Sequence, residues 1–419
     1  MRGSVEAHGS KNAASKMMIA SLLTEDPCLI ENVPLSAEID ITKELCETIG
    51  SSILVGEHQL TIKTEQIKTS LVPELSRRNR IPVLALGPLL HRSGFAEVPV
   101  LGGCPIGHRP VNLHIDALTR MGVKVERRTN SYYATTDGLR GAEIEFPFSS
   151  VGATESTILA AVLAKGKTVV KNAAVEPEIG NLVEMLRAMG ALVNFDTVGR
   201  MVEIEGVAKL HGAEVKVMPD RNEVVSLAVA ALATGGELEI LGIEKKYLES
   251  FLEKLQILRA SYEISSHGIK FIGGGKYQPL KIETAPHPGF MTDWQQPICV
   301  LLTQVNGESI IHETVYEDRF GYVKDLNKLG ADILVSDECW GNPCRFSNHT
   351  FNHSAKITGP TKLQGGELTI TDIRAGMAQI IAALVAEGES VISGVEHIDR
   401  GYEKLDERLR MLGADIRRI

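Results

Sequence analysis

A cysteine in a turn rich in glycine and proline is the feature of this chain that points most directly to chemistry. Cys104 follows Gly102 and Gly103, and His108 and Arg109 come shortly after it. Positive charge near a thiol favours the thiolate, which is the reactive form of cysteine. The spacing therefore predicts a reactive cysteine on a loop, although a small buried cysteine beside a turn fits the same residues.

Arginines recur in turns that occupy related positions along the chain. Arg319 and Arg400 each follow an aspartate and precede a Gly-Tyr pair, and Arg109 lies in a similar but longer turn. A lone arginine in a turn is usually a solvated surface charge. Three guanidiniums at equivalent turns are better suited to binding an anion through paired hydrogen bonds.

Six repeats of about seventy residues must position these turns. Each repeat ends with a leucine followed four or five residues later by a closing position, which is Gly50, Gly122, Gly190, Arg259 (a degenerate copy), Gly330 or Gly413. Each repeat also holds an apolar segment, and these are 13–23, 80–91, 155–164, 223–234, 293–305 and 375–386. Segments that are apolar on nearly all sides predict helices buried inside a domain. With the β-rich run after each segment, they predict α/β modules divided into two domains of three.

Composition narrows the class of protein. The net charge of −9, without a basic run, argues against a nucleic-acid partner. No apolar stretch is long enough to span a bilayer, and residues 1–10 lack the apolar core of a secretory signal. Six cysteines scattered in a chain of 419 residues indicate reduced thiols. We expect a cytoplasmic protein that acts on small molecules, with no membrane or obligate protein partner.

Nine short motifs, in order along nearly the whole chain, resemble the enolpyruvyl transferase family. They are 9–14, 85–88, 102–110, 150–154, 219–221, 284–293, 317–320, 372–374 and 397–402. The resemblance implies an α/β fold, the inside-out α/β barrel, with two domains each of three repeated α/β modules. It places residues 11–218 in the domain with the Cys104 loop and residues 1–10 plus 219–419 in the second domain.

The resemblance also implies an activity. In the family branch that matches best, the enolpyruvyl group of phosphoenolpyruvate is transferred to the 3′-hydroxyl of UDP-N-acetylglucosamine with release of phosphate, a step of peptidoglycan precursor synthesis. No metal or organic cofactor takes part. Alternative interpretations are a relative that acts on another nucleotide in secondary metabolism and a catalytically silent ligand-binding homologue. The shikimate-pathway branch fits less well, because it lacks the cysteine loop.

The site residues implied by the resemblance fall into four groups. Cys104 is the proton donor and the attachment point of the epoxide fosfomycin, and Asp293 is the base or its orienting partner. The phosphoenolpyruvate ligands are Lys11, Asn12, Arg109, Arg319, Arg374 and Arg400, of which Lys11 and Arg400 are also counted as catalytic. The UDP-sugar ligands are Asn12, Arg80, Arg109, Pro110, Val111, Asn112, Leu113, Ser150, Val151, Gly152, Asp293 and Val315. Asp372 is a further site residue.

Three positions depart from the family pattern on the acceptor side. Phe148 and Ala37 stand where the family commonly has lysines, and Asn112 stands where it usually has an acid near the uridine. Two missing cations weaken a diphosphate site and leave the identity of the acceptor open. The amino terminus also begins about a dozen residues later than usual, so we expect a first strand of the second domain to be absent.

Two local patterns carry their own expectations. Cys339, Cys344, His349 and His353 are residue types that bind zinc, but their central spacing is far shorter than that of a zinc finger. We therefore expect an extended surface hairpin rather than a metal site. Thr292, three residues before a glutamine, predicts a capping box at the start of a buried helix.

Overall fold

The computed structural model describes residues 1–72, 74–77, 79–100, 102, 111–340 and 344–419. Its helices and strands alternate along the chain, which confirms the predicted α/β class. The chain divides into two compact units. The 219–419 unit consists of Met1–His8 and Pro219–Ile419, and the 9–218 unit contains the described residues of 9–103 and 110–218. None of the described helices is long and apolar enough to cross a bilayer.

After strand β1 (Arg2–Glu6), the chain builds the 9–218 unit. Its strands are β2 (Cys28–Glu31), β3 (Ser52–Gly56), β4 (Gln59–Lys63), β5 (Phe95–Pro99), β6 (Lys124–Arg127), β7 (Ser131–Thr135), β8 (Glu143–Glu145), β9 (Lys167–Lys171), β10 (Leu192–Asp196), β11 (Met201–Glu205) and β12 (Glu214–Lys216). Its helices are α1 (Lys11–Ala20), α2 (Ala37–Ile49), α3 (Leu86–Ser93), α4 (Asn112–Arg120), α5 (Val151–Ala161) and α6 (Pro177–Ala188), with short 3₁₀ helices at Ser21–Leu23 and Ile81–Ala85. The strands form sheets in the orders β12-β2-β4-β3, β5-β7-β6 and β10-β11-β9-β8.

The 219–419 unit follows the same plan. Its helices are α7 (Arg221–Ala233), α8 (Glu249–Leu258), α9 (Gln295–Leu302), α10 (Val323–Lys328), α11 (Ile373–Val385), α12 (Glu396–Asp399) and α13 (Leu405–Met411), with 3₁₀ helices at Lys245–Tyr247 and Thr292–Trp294. Its further strands are β13 (Glu237–Leu241), β14 (Ser261–Ile264), β15 (Gly268–Ile272), β16 (Lys281–Glu283), β17 (Gly307–His312), β18 (Asp332–Ser336), β19 (Ser354–Gly359), β20 (Glu367–Thr369) and β21 (Val391–Ser393). Their sheet orders are β1-β13-β15-β14, β16-β17-β19-β18 and β20-β21.

The expectation of a missing first strand is wrong. Strand β1 pairs in parallel with β13, from Arg2 opposite Glu237 to Glu6 opposite Leu241. Most residues of β1 are exposed, and its sequence, Arg-Gly-Ser-Val-Glu, lacks the apolar run that usually marks a strand. Backbone pairing to an existing sheet edge is what forms this strand, and pairing of that kind depends little on side-chain type.

The four-stranded sheets share one order of parallel and antiparallel strand pairs. In β16-β17-β19-β18, a parallel pair is followed by two antiparallel neighbours, and β8 with β9, β11 and β10 repeats that pattern. The predicted apolar helices lie inside the units. In the 219–419 unit, α7, α9 and α11 pack against one another, and nearly all of their residues are buried. The all-round apolar pattern is therefore explained by helices that have no solvent face.

The closing position of each repeat has a left-handed or similar backbone. Gly122 and Gly190, just after α4 and α6, have φ of 91° and 97°. Arg259, in the degenerate copy, follows α8 with φ 61° and ψ 33°. Glycine adopts positive φ without a steric penalty, which is why it recurs where an outer helix must end and the chain must turn. Arg259 adopts the same left-handed conformation at the position where the other repeats have glycine.

A buried carboxyl group in α5 predicts an unusual pH dependence of stability. Burial raises the pKa of Glu155 to about 7, with Lys16 opposing the rise and Glu178 and Glu176 adding to it. Between pH 4.5 and 7 the folded chain holds more protons than the unfolded chain, so raising the pH through this window destabilises the fold. The free energy of unfolding falls by about 3 kcal/mol by pH 8 for this reason. We expect Glu155→Gln to remove this loss, so that the variant gains stability over the wild type as pH rises from 5 to 8 in urea titrations.

The matched control is Glu57→Gln, which makes the same chemical change at an exposed turn between β3 and β4. Its difference from the wild type is expected to stay near zero at every pH. A Glu155→Gln difference that is constant from pH 5 to 8 would show that this carboxyl group does not titrate in the window.

Candidate functional site

In the 219–419 unit, the carboxylate of Asp293 is held between two buried guanidiniums. Arg319 donates from Nη2 to Asp293 Oδ1, and Arg374 donates from Nε to Asp293 Oδ2 at 3.1 Å. The side chains of Arg319 and Arg374 are 2% and 6% exposed, whereas that of Asp293 is 21% exposed. The structure thus brings together three predicted site residues and leaves the carboxylate as the group that faces solvent.

Charge balance keeps both arginines protonated. Burial opposes a positive charge on Arg319, but the carboxylates of Asp293, Asp372 and Glu313 outweigh it and raise the pKa of the guanidinium. Burial likewise opposes the charge on Arg374, and Tyr402 and Asp293 more than compensate, so its pKa also rises. A carboxylate between two permanent cations is fixed in position and is accessible on one side, as expected of a group that orients a hydroxyl.

Thr292 does not cap a helix, so that prediction is wrong. Its hydroxyl donates instead to Glu313 Oε2 at 2.8 Å and accepts from Arg319 Nε at 3.3 Å. Glu313 is fully buried, and its Oε1 accepts the backbone N–H groups of Val315 and Tyr316 at 2.7 and 3.0 Å. The carboxylate therefore fixes the predicted acceptor-site residue Val315. Glu313 could not be singled out from the sequence, and its one signal is a charged residue directly after a strand.

Asp372 and Tyr402 adjoin the same cluster. Asp372 caps α11 by accepting the N–H groups of Arg374 and Ala375 at 2.9 and 3.1 Å. Arg374 also donates from Nη1 to the hydroxyl of Tyr402 at 2.9 Å, two residues after the half-buried Arg400. Tyr402 is therefore part of the support of Arg374, a role that the sequence analysis did not assign.

In the 9–218 unit, the predicted residues lie at helix N-termini. Lys11 is the first residue of α1 and is mostly buried, and Asn12 follows it half-buried. Ser150 caps α5 by accepting the N–H of Ala153 at 3.4 Å, and Val151 and Gly152 form its first turn. Helix N-termini carry partial positive charge and unpaired N–H groups, which favour anionic ligands.

His114 ties α4 to the start of α5 and was missed in the sequence analysis. A Cβ on Gly152 would lie 3.1 Å from the ring of His114, so a larger residue at this position would have to displace the ring by a few tenths of an ångström. Burial and the neighbouring charge of Arg80 lower the pKa of His114 to about 3, which keeps the imidazole neutral. The signal was a histidine on the apolar face of a helix, a pattern typical of core packing.

Asn112 and Leu113 open α4 beside this contact. Asn112 is exposed and Leu113 is largely buried, and with Glu145 and Pro147 they line an open depression of about 500 Å³. Val111, which precedes α4, is half-buried. The backbone segment that ends at Phe148 therefore runs beside the N-terminus of α4.

The departures from the family pattern have defined positions. Phe148 is 44% exposed just before the cap of α5, and Ala37 is the first residue of α2. A different cation lies near Phe148, because Arg200 donates from Nε to the hydroxyl of Ser149 at 3.1 Å. Cys104, Arg109 and Pro110 lie outside the described residues, so the predicted cysteine loop stays a prediction.

Comparison with known proteins agrees with the resemblance. The family model of EPSP synthase (3-phosphoshikimate 1-carboxyvinyltransferase) matches residues 1–409. The chain is 44% identical to the UDP-N-acetylglucosamine 1-carboxyvinyltransferase of Protochlamydia amoebophila, over 99% of this chain and 92% of that protein. It is 41% identical to the protein of the same name from Caulobacter vibrioides, over 100% of this chain and 96% of that protein. The chain therefore belongs to the EPSP synthase family of enolpyruvyl transferases.

The fold comparison reaches the same architecture. The enolpyruvyl transferase NikO from Streptomyces tendae superimposes with a TM-score of 0.88 at 23% identity, over 99% of this chain and 95% of that one. At that level of identity the likeness concerns the fold. The mixed α/β arrangement described above is thus the fold of a solved enolpyruvyl transferase.

Proposed function

We propose that this protein transfers the enolpyruvyl group of phosphoenolpyruvate to the 3′-hydroxyl of UDP-N-acetylglucosamine, with release of phosphate. The supporting observation is the Asp293 carboxylate held by Arg319 and Arg374, in a chain that matches relatives named for this reaction over nearly its whole length. The fine architecture belongs to the same proposal. It is an inside-out α/β barrel of two domains, 11–218 and 1–10 plus 219–419, each built from three modules.

The reaction needs one proton delivered and one withdrawn in its first step. The acceptor hydroxyl forms a bond to the central carbon of phosphoenolpyruvate while the methylene carbon gains a proton. Loss of that proton and of phosphate then restores the double bond on the new ether. In our proposal Asp293 receives the hydroxyl proton, and Cys104 supplies the proton to the methylene carbon. General acid–base catalysis of this kind contributes about 10²–10⁴-fold to the rate.

Phosphoenolpyruvate brings a phosphate and a carboxylate, and the proposed ligands supply the charge to bind them. Lys11, Asn12, Arg109, Arg319, Arg374 and Arg400 form this set. We assign Arg319 and Arg374 a double role. The family resemblance makes them anion ligands, and their ion pairs with Asp293 make them supports of the base. Arg400 is half-buried and offers more of its guanidinium to a substrate.

The UDP-sugar is assigned to the helix N-termini of the 9–218 unit together with Asp293 and Val315. The proposed ligands are Asn12, Arg80, Arg109, Pro110, Val111, Asn112, Leu113, Ser150, Val151 and Gly152, with the two residues just named. Both substrates are phosphorylated metabolites that cells keep in the cytoplasm, which is where we place the reaction.

Phosphate release from phosphoenolpyruvate tests the proposal directly. The purified chain is expected to release phosphate when UDP-N-acetylglucosamine is present and to release none with phosphoenolpyruvate alone. A panel of other UDP-sugars, nucleoside monophosphates and free nucleosides serves as the comparison. Faster release with a monophosphate or a free nucleoside would overturn the acceptor assignment in favour of a relative that acts on another nucleotide.

The substitution Phe148→Lys tests the acceptor site. It restores the cation that the family commonly has before α5, beside the guanidinium that Arg200 already brings to Ser149. A charge-assisted contact to phosphate is worth about 1.5–3 kcal/mol, so the Michaelis constant for the UDP-sugar is expected to fall about tenfold or more. Binding gained equally in ground and transition states leaves kcat nearly unchanged.

Phe95→Lys is the matched control, because it adds the same charge at a phenylalanine that is 41% exposed on β5, in the same unit. It is expected to leave the Michaelis constant near the wild-type value. Loss of activity in Phe148→Lys would contradict the placement of the diphosphate beside α5.

A further inference from the structure

Two cysteines and two histidines converge at one end of the sheet β16-β17-β19-β18. His312 is the last residue of β17, and His353 directly precedes β19, where Ser354 pairs with His312. Cys339 and Cys344 lie in the connection between β18 and β19. The C-terminal ends of β17 and β18 and the start of β19 therefore share the edge at which these four side chains meet.

The four side chains lie close enough together for their ligand atoms to share one metal ion. Their ligand atoms all lie within 4.8 Å of one another. The two sulfur atoms are 3.7 Å apart, and Cys339 Sγ is 3.3 Å from His353 Nε2. With zinc–sulfur bonds of about 2.3 Å and zinc–nitrogen bonds of about 2.0–2.1 Å, tetrahedral angles require an S···S separation of about 3.8 Å and an S···N separation of about 3.6 Å.

Both histidines are oriented so that Nε2 faces the cluster. His312 Nδ1 is 3.0 Å from Glu283 Oε2, and His353 Nδ1 is 2.7 Å from the carbonyl oxygen of Phe351. Each contact fixes the proton on Nδ1 and leaves the lone pair on Nε2, which is the usual outer-shell arrangement of zinc-binding histidines. His312 Nε2 is buried and has no hydrogen-bond partner among the described residues, a costly state that a metal ion removes.

The surroundings of the sulfur atoms suit a thiolate ligand. The backbone N–H of Phe346 donates to Cys344 Sγ at 3.3 Å, and the buried ring of Phe346 packs on His353 with centroids 5.8 Å apart. His349, which the sequence grouped with the cysteines, is exposed and stacks on Phe351 instead. The fourth member of the cluster, His312, comes from the neighbouring strand β17, so the spacing within the connection alone could not indicate it.

We propose that His312, Cys339, Cys344 and His353 bind one zinc ion in a structural site separate from the reaction. Two thiolates and two imidazoles in tetrahedral arrangement favour zinc over magnesium, calcium or manganese. All four positions are taken by protein, so no coordination position remains for a substrate. Binding releases the two thiol protons to solvent as the thiolates coordinate the metal.

The site explains how a long connection is held in place. Equivalent hairpins turn within residues 57–58, 128–130, 197–200 and 265–267, whereas β18 and β19 are joined by residues 337–353. The described part of that connection contains no helix or strand. Long connections without secondary structure are uncommon in compact domains, and a metal clip offsets the entropy of ordering one.

The clipped segment reaches the proposed acceptor site. Arg345, next to Cys344, donates from Nη2 to the carbonyl oxygen of Val315 and lies 3.6 Å from Glu317. His312 is adjacent to Glu313, whose carboxylate fixes Val315, and the N–H of Glu313 donates to the carbonyl of His353 at 2.7 Å. Zinc at this site therefore orders Arg345 and Glu313, which contact Val315, without contacting a substrate.

Metal analysis of the purified full-length chain tests the proposal. We expect about one zinc per chain after extensive dialysis, and loss of that zinc in Cys339→Ser and in His312→Gln. Cobalt(II) added to the chain after zinc removal is expected to give the intense visible bands of a tetrahedral thiolate complex. Removing zinc with a chelator is expected to lower the melting temperature, and adding zinc back to restore it.

His349→Ala is the control, because it removes a histidine of the same connection that lies outside the cluster. It is expected to keep its zinc and its cobalt spectrum. Glu283→Gln is expected to keep zinc but to release it to a chelator about 10–100-fold more readily. A wild-type chain that binds neither zinc nor cobalt, or that carries a Cys339–Cys344 disulfide as isolated, would overturn the proposal even if every variant misfolds.

Discussion

Asp293→Asn is expected to lower kcat for phosphate release by about 10²–10⁴-fold, the usual contribution of a general acid–base group. Asparagine preserves the size of the side chain and one acceptor oxygen but cannot take a proton. It also leaves the buried guanidiniums of Arg319 and Arg374 without their shared counter-charge. We expect the Michaelis constants to change much less than kcat, because the base acts on the transition state.

Asp325→Asn provides the control for lost charge and burial. The side chain of Asp325 is 19% exposed, close to the 21% of Asp293, and both its oxygens are hydrogen-bonded, to Lys328 and Gln379. It lies on α10 in the same unit. A similar loss of kcat in both variants would mean that the effect of Asp293→Asn reflects general destabilisation. Retention of kcat in Asp293→Asn would exclude this carboxylate as the base.

The parts of the fold that follow from local pattern were predictable from the sequence. Helices α7, α9 and α11 are surrounded by other elements, so they are apolar on nearly all sides. This apolar pattern can be recognised within each short stretch of sequence. The repeated glycines mark helix ends for a similarly local reason, namely the positive φ that the turn demands. Strand β1 could not be predicted in this way, because its exposed residues are ordered only by pairing with β13.

Long-range contacts set the limits of the site prediction. The resemblance named Asp293, Arg319 and Arg374, but only the folded chain reveals that the two arginines bind the same carboxylate. His312 was missed because its partners are distant in sequence, and Glu313 was missed because its contact with Thr292 forms only in the folded chain. A capping pattern at Thr292 was misleading because the buried carboxylate of Glu313, just after β17, accepts the hydrogen bond of its hydroxyl.

Cys104→Ser is expected to reduce kcat by about 10²–10⁴-fold and to abolish covalent modification by fosfomycin and other small epoxides. A serine hydroxyl is a far weaker acid than a thiol and forms no comparable nucleophile at neutral pH. In the wild-type chain, peptide mapping after epoxide treatment is expected to find one label, on Cys104. The proposed phosphoenolpyruvate cations aid this reaction by holding the phosphonate of fosfomycin, so phosphate or sulfate is expected to slow it.

The other thiols provide internal controls for this experiment. Cys28, Cys46 and Cys299 are buried, and burial raises the pKa of each, to about 12 for the latter two, so that almost no thiolate forms at neutral pH. Cys339 and Cys344 are partly exposed and are the real competitors, and under the zinc proposal they react only after a chelator is added. Labelling of Cys28 or Cys299 ahead of an untouched Cys104 would refute the role of the cysteine loop. Before chelation, labelling of Cys104 alone would support its role as the proton donor. Labelling of Cys339 and Cys344 only after a chelator is added would support the zinc site.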